Sequence, residues 1–323
     1  VLKLHLTKLI NKLMKKIFFA FIIALTALVD VHAQQDPNYT QYMYNMNVIN
    51  PAYAGSKENL AIGLLYRKQW VNLDGAPETF TANGHAPIGK NLGFGLSAIA
   101  DKIGPANEKN IFADISYTLK LGNDKNLAFG IKAGATFLDI GLLSEVSPTL
   151  RDQFDEVFLE NVNKVSPNVG AGLFYYTNKF YAALSIPNIL HTKHFNKYKN
   201  SEGVNYGTET SHYFLTTGYV FQLSPNTKFK PSALLKSAFN APPSLDVSAN
   251  MLFFEKFEAG LTYRLEDSFG AMVNVKITDG LRVGYAYDQV ISDLKVATQS
   301  SHEIMLLFDL NFPKKVSSSP RYF

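Results

Sequence analysis

Between Asn126 and Leu138 the chain reads NLAFGIKAGATFL, and its side chains alternate with a period of two. Leu127, Phe129, Ile131, Ala133, Ala135 and Phe137 share one face of an extended strand, while Ala128, Gly130, Lys132, Gly134 and Thr136 share the other. One face suits an apolar medium, and the other, with a lysine at mid-length, suits water or a polar interior. Roughly ten such residues are what a tilted strand needs to cross a bilayer. The stretch predicts a strand of a transmembrane barrel, and the competing reading is a half-buried strand of a secreted sandwich.

From Glu58 onward the same alternation recurs in fourteen runs, at 58–71, 77–87, 91–102, 109–121, 126–138, 167–177, 179–188, 209–222, 228–238, 244–254, 256–266, 268–278, 280–290 and 299–312. An even count is what a bacterial single-chain barrel requires. With the first run starting in the periplasm, the inner turns fall at 88–90, 122–125, 178, 225–227, 255 and 279–280, and all are short. The longest connections, 140–166, 188–208 and 291–298, fall together on the opposite side, as the short periplasmic turns and longer outer loops of such barrels demand. The predicted fold is all-β: a transmembrane antiparallel barrel of about 14 strands over 58–312.

A second test comes from the charged residues. An outward Arg or Lys near the bilayer midplane costs about 2–4 kcal/mol, so charges within the strands belong on the inner parity. Arg67, Asp101, Asp114, Lys132, Lys236, Asp246, Glu258, Arg264, Lys276, Arg282 and Asp288 all stand opposite the apolar set of their own runs, and they are the lumen-facing candidates. Their mixed signs argue against a pore selective for one charge and for a filled, cross-linked interior. A sandwich also puts charges on its wet side, but fourteen runs of bilayer length without a helical segment exceed what one sandwich uses.

Composition narrows the class. Charged residues make up 18% of the chain, against about 25% in soluble domains, and 24 Phe and 17 Tyr are present. Cysteine is absent, which excludes disulfides, a thiolate metal site, a catalytic thiol and a lipid-bearing cysteine. The formal charge of +4 resides in the leader: residues 1–33 hold five lysines and one acid, leaving 26 basic and 26 acidic residues in the remainder. Nucleic-acid binding has no electrostatic support. Within the leader, Met14 to Ala33 carries Lys15 and Lys16, an apolar run from Ile17 to Val29, and small residues at Val31 and Ala33. That is the pattern of a cleaved secretory signal with its natural start at Met14, and the apolar run is shorter than the roughly twenty residues of a spanning helix. Mass spectrometry of the mature chain is expected to find Gln34 first.

Residues 34–57, beginning QQDPNYTQYMYNMNVINPAYAG, are rich in Asn, Gln and Tyr and have no sustained apolar face. Their amides and phenols need hydrogen-bond partners that lipid lacks, which predicts an irregular plug in the lumen or a segment at the periplasmic mouth. Residues 313–323 form a polar tail.

Residues with chemical potential are few. His191 and His194 are the only histidines close in sequence, and with no nearby acid an ordinary polar loop is the stronger reading. Arg151, Asp152, Asp155 and Glu156 lack the alternating ligands and sharp glycine turn of a calcium loop. Ser301 with His302, and Ser211 with His212, are adjacent on strands and point to opposite faces, so neither pair forms a catalytic dyad. No nucleophile elbow, phosphate loop or dinucleotide fingerprint occurs in a suitable context. The expectation is a non-enzyme without metal or cofactor.

Several phrases resemble the PorP/SprF family of type IX secretion outer-membrane proteins, in order and over nearly the whole mature length. They are NPAYAG at Asn50 to Gly55, YRKQW at Tyr66 to Trp70, DQFD at Asp152 to Asp155, FYAALSIPN at Phe180 to Asn188, LTYR at Leu261 to Arg264, LRVGYAYD at Leu281 to Asp288 and SHEI at Ser301 to Ile304. The resemblance implies an integral outer-membrane barrel of the protein secretion and gliding machinery. Its implied partners are outer-membrane lipid, type IX secretion components such as a periplasmic ring lipoprotein, and a secreted surface adhesin. It transfers no catalytic residues. The rival functional reading is a passive outer-membrane channel for a hydrophobic or small solute, since fold does not fix function.

Overall fold

Alternating apolar and small or polar residues build one closed wall. The computed structural model describes residues 37–141, 162–190, 193–199, 202–208, 211–238 and 241–310, the side chains of 162, 193–199 and 202–208 excepted. The chain divides into two units, 1–33 with 240–242, and 34–239 with 243–323, and the second builds the barrel. The leader and its cleavage site, His191, the side chain of His194, the acidic cluster 151–156 and the C-terminal tail lie outside the described residues.

The strands are β1 (Leu60–Lys68), β2 (Glu78–Pro87), β3 (Leu92–Ile103), β4 (Ala106–Lys120), β5 (Asn126–Ile140), β6 (Val162–Tyr176), β7 (Phe180–Ile186), β8 (Lys193–Lys199), β9 (Glu202–Thr208), β10 (His212–Tyr219), β11 (Phe221–Ser224), β12 (Thr227–Ala238), β13 (Ala241–Phe253), β14 (Phe257–Arg264), β15 (Ser268–Thr278), β16 (Leu281–Val290) and β17 (Ser300–Leu310). β8 and β9 form a separate hairpin, and β11 continues β10 against β12. The other strands make a ring of fourteen, in which each wall strand pairs antiparallel with its sequence neighbours and β1 pairs with β17 to close it. Closure leaves no edge along the wall, which is what lets strands stand in lipid.

On the outer face stand large apolar side chains such as Ile131 (65% exposed), Ile111 (57%) and Leu96 (53%). No monomer in water keeps so broad an apolar band exposed, so the band is the lipid contact. One end of the barrel has only short turns, at 88–91, 121–125, 177–179, 225–226, 254–256 and 279–280. The other end carries the long connections 141–161 and 187–211. In the turn 254–256, Phe254 (φ 55) and Glu255 (φ 58) take the left-handed conformation that Asn or Gly usually supplies.

Several boundaries differ from the sequence reading by a few residues, and two differ most. β6 begins at Val162 and pairs with β5 along its whole length, from Ile140↔Val162 to Asn126↔Tyr176. The sequence reading places 162–166 in the outer connection; Asn163, Lys164 and Ser166 interrupt the apolar alternation there, which holds only at lipid depth. The outer connection 188–208 contains the β8–β9 hairpin, whose polar sequence KHFNKYK likewise lacks that alternation.

Candidate functional site

The interior is occupied by the chain's own N-terminal segment. From Thr40 to Ala54 nearly every side chain is buried, including Thr40, Gln41, Asn45, Asn47 and Asn50. The segment folds as short turns because its Asn, Pro and Tyr residues favour local side-chain bonds over long helix. A 3-10 turn at Tyr42–Tyr44 precedes a four-residue helix, Met46–Ile49. A second 3-10 turn, Pro51–Tyr53, starts at Pro51 and is capped by Asn50, whose Oδ1 accepts from Ala52 N at 2.9 Å. Its Tyr42, Met43, Met46, Ile49 and Ala52 pack with Phe174, Tyr181, Phe214 and Met272 of the wall into one apolar core.

The segment enters among residues near the long-loop end and leaves at the short-turn end. Near the long loops, Arg67 Nη2 lies 2.7 Å from Asp288 and its Nη1 3.2 Å from Glu303. Glu303 also accepts from the backbone N–H of Thr40 (2.9 Å) and Gln41 (2.8 Å), and the Thr40 hydroxyl donates to Asp288. Alongside, Arg264 grips Asp246 with two bonds of 2.8 and 2.9 Å, the planar fork on a carboxylate that makes such pairs strong. Lys236 donates to Asn38.

At mid-depth Lys132 lies 3.3 Å from Asp114 and donates to the Val48 carbonyl at 3.0 Å, while Asn47 donates to Asp114 at 3.2 Å. Across the lumen, Glu258 accepts from Tyr44, from Arg282 at 2.9 Å and from Asn250 at 2.6 Å. Burial first, and then the charge of Glu258, hold the Tyr44 phenol well above its ordinary range, so it stays protonated and donates. The Tyr44 ring also stacks near Arg282 and Lys230.

At the short-turn end the fit is steric. A Cβ added to Gly130 would stand 2.2 Å from Ala52 N, and one added to Gly93 would stand 2.1 Å from the Ala54 carbonyl. The segment ends at Gly55, whose φ of +69° only glycine adopts freely, and its N–H donates to His85 Nδ1 at 3.2 Å. Ser116 donates to the Ala54 carbonyl at 2.6 Å.

Of the eleven lumen candidates, Arg67, Asp114, Lys132, Lys236, Asp246, Glu258, Arg264 and Asp288 are buried on the inner face. Asp101 is half-buried and accepts from the Thr79 hydroxyl. Arg282 reaches in from the mouth to Glu258, and Lys276 stays at the rim, paired at 2.9 Å with exposed Asp279. Sequence reasoning passed over Glu303 and Lys230, both buried. The alternation reaches both, since Glu303 stands opposite Ile304 in parity and Lys230 shares the parity of Lys236. Ser301 and His302 divide between faces, since Ser301 Oγ accepts from Trp70 N at 3.1 Å and His302 faces outward to Tyr285, whereas Ser211 and His212 are both buried.

Among curated proteins no sequence matches this chain significantly. Among solved structures, the CymD monoaromatic hydrocarbon channel is similar with a TM-score of 0.52 at 13% identity, over 88% of this chain and 98% of that one. The Acinetobacter baumannii outer membrane protein Omp33 has a TM-score of 0.45 at 12% identity, over 79% and 100%. At such identities the likeness to CymD extends to the fold alone. The family model described as "Type IX secretion system membrane protein PorP/SprF" matches residues 31–308. With its closed wall and apolar outer band, the chain is an integral outer-membrane β-barrel, and it belongs to the PorP/SprF family of type IX secretion system membrane proteins.

Proposed function

We propose that this barrel is a non-enzymatic component of the type IX machinery that assists the export or surface attachment of a secreted adhesin, and that it works as a sealed docking body. The observation that carries the reading is the lodged N-terminal segment. Its backbone and side chains are tied into buried ion pairs at two separate parts of the wall, at Glu303 and Asp288 in one and at Asp114 and Lys132 in the other. A conduit for polypeptide or solute needs a continuous open path, and here the middle of the lumen is packed with side chains. Binding then falls to the two ends. The long outer connections serve the secreted partner, and the short turns serve periplasmic components.

Purified protein in a planar bilayer is expected to show no stepwise conductance, and the barrel extracted gently from cells is expected to carry a secreted adhesin or a periplasmic ring lipoprotein. Steady conductance without either companion overturns the reading in favour of a channel. Deleting residues 145–163 is expected to reduce the adhesin at the cell surface, and an unchanged amount would remove the outer loop from the mechanism.

A further inference from the structure

The short-turn end is not uniform around its circumference. On one side, the turns 254–256 and 279–280 carry ion pairs with the strand ends: Lys228 pairs with Glu255 at 2.5 Å and Lys276 with Asp279 at 2.9 Å. On the other, the turns 88–91, 121–125 and 177–179 surround a cleft of about 460 Å³. Its floor is Gly55 and Ser56, where the lodged segment leaves the wall. Lys90, Lys120 and Asp124 line it, and their side chains have no hydrogen-bond or ion-pair partner among the described residues. Four asparagines, Asn91, Asn123, Asn126 and Asn178, line it as well.

We propose that this cleft is the docking site for an extended peptide segment of a periplasmic protein. The lining selects that class by its chemistry. Cationic and anionic side chains stand together, which disfavours a simple anion or cation held by one sign. The polar lining disfavours an apolar ligand. Carboxamides offer a donor and an acceptor on one planar group, the same pair that each peptide unit presents. Lys90 and Lys120 take acidic side chains of the segment, Asp124 takes a basic one, and the asparagines bond its backbone. The cleft's size lies within the range of specific ligand sites. Its rigidity comes from below, because Gly93 and Gly55 lock the floor against the wall. The proposal rests on the docking-body reading by naming where one of its partners seats.

The test uses the full chain in living cells, with a photo-crosslinking phenylalanine analogue at Asn123 and, separately, at Asn226 on the opposite side of the rim. The expected result is a protein adduct at position 123 and none at 226, mapped by mass spectrometry to one segment bearing acidic residues. Lys90→Glu with Lys120→Glu is expected to lower the adduct yield about fivefold or more, while the heat-modifiable mobility of the barrel is unchanged. Equal adducts at both positions, a yield indifferent to the charge reversal, an adduct to lipopolysaccharide alone, or no adduct overturns the proposal. A sealed barrel that fails this test loses the cleft and keeps the docking-body reading, whereas a conducting barrel loses the latter whatever the adducts show.

Discussion

The two ends of the lodged segment are held by different physics. Around Thr40 and Gln41 the wall supplies charge, with Arg67, Asp288 and Glu303 meeting backbone N–H groups and a hydroxyl. Around Ala52 and Ala54 it supplies space, with Gly130 and Gly93 missing the side chains that would occupy the segment's path. A charged site tolerates small shifts if its bonds re-form, but fails when one partner is deleted and the other stays buried. A steric site has no partner to delete and responds to added volume. The segment is thus latched at one end and fitted at the other.

The most damaging change to the latch is Arg67→Met, which leaves Asp288 and Glu303 buried beside each other without their guanidinium. A loss of about 3–5 kcal/mol is expected. It would be read as an earlier conversion of the fast-migrating folded band on heating in detergent gels. Adding Glu303→Gln should recover part of that loss, because the second substitution removes one of the stranded charges. An absence of any recovery would mean that shape, and not charge, governs this end as well.

Next comes Gly130→Ala, expected to cost about 1–3 kcal/mol by overpacking against the Ala52 backbone. Gly122→Ala, where nothing lies within 4 Å of the added Cβ, is its control and should be silent. If both behave alike, the segment does not seat on Gly130 as described. Smaller again is Tyr44→Phe, which removes one donor from Glu258 but leaves Arg282, Asn250 and Asn274. About 1–2 kcal/mol is expected, measured in the same gels. The mildest is Lys228→Ala at the rim, where an ion pair with a largely exposed Glu255 should contribute below about 1 kcal/mol and vanish at high salt. A rim loss as large as that of Tyr44→Phe would erase the distinction between interior and surface charges.

Much of the wall was legible because one rule governs it. At lipid depth every second side chain must be apolar, so β5 could be read from NLAFGIKAGATFL alone and Lys132 assigned to the inner face. Glu303 was within reach of the same rule. The rule lapses above the lipid, where both faces of a strand are wet. That is why residues 162–166 of β6 and the β8–β9 hairpin escaped it. The turn at 255 was legible, but its left-handed conformation at Phe254 and Glu255 was hidden, since neither residue type advertises a positive φ and the ladder on each side imposes it.

The N-terminal segment marks the limit more sharply. Its Asn, Gln and Tyr residues announced a need for hydrogen-bond partners, and local composition goes no further. Which partners, and at what depth, depends on residues far along the chain: Thr40 meets Asp288 and Glu303, and Asn47 meets Asp114. By itself the sequence determined the period-two wall, its even number of crossings and the parity of its charges, because those follow from neighbours along one strand and from the solvent on each side. Tertiary structure alone decided which of the two placements of 34–57 holds and how the lumen is filled, because bonds between residues distant in sequence, and the room left by a glycine on a facing strand, exist only once the barrel has closed.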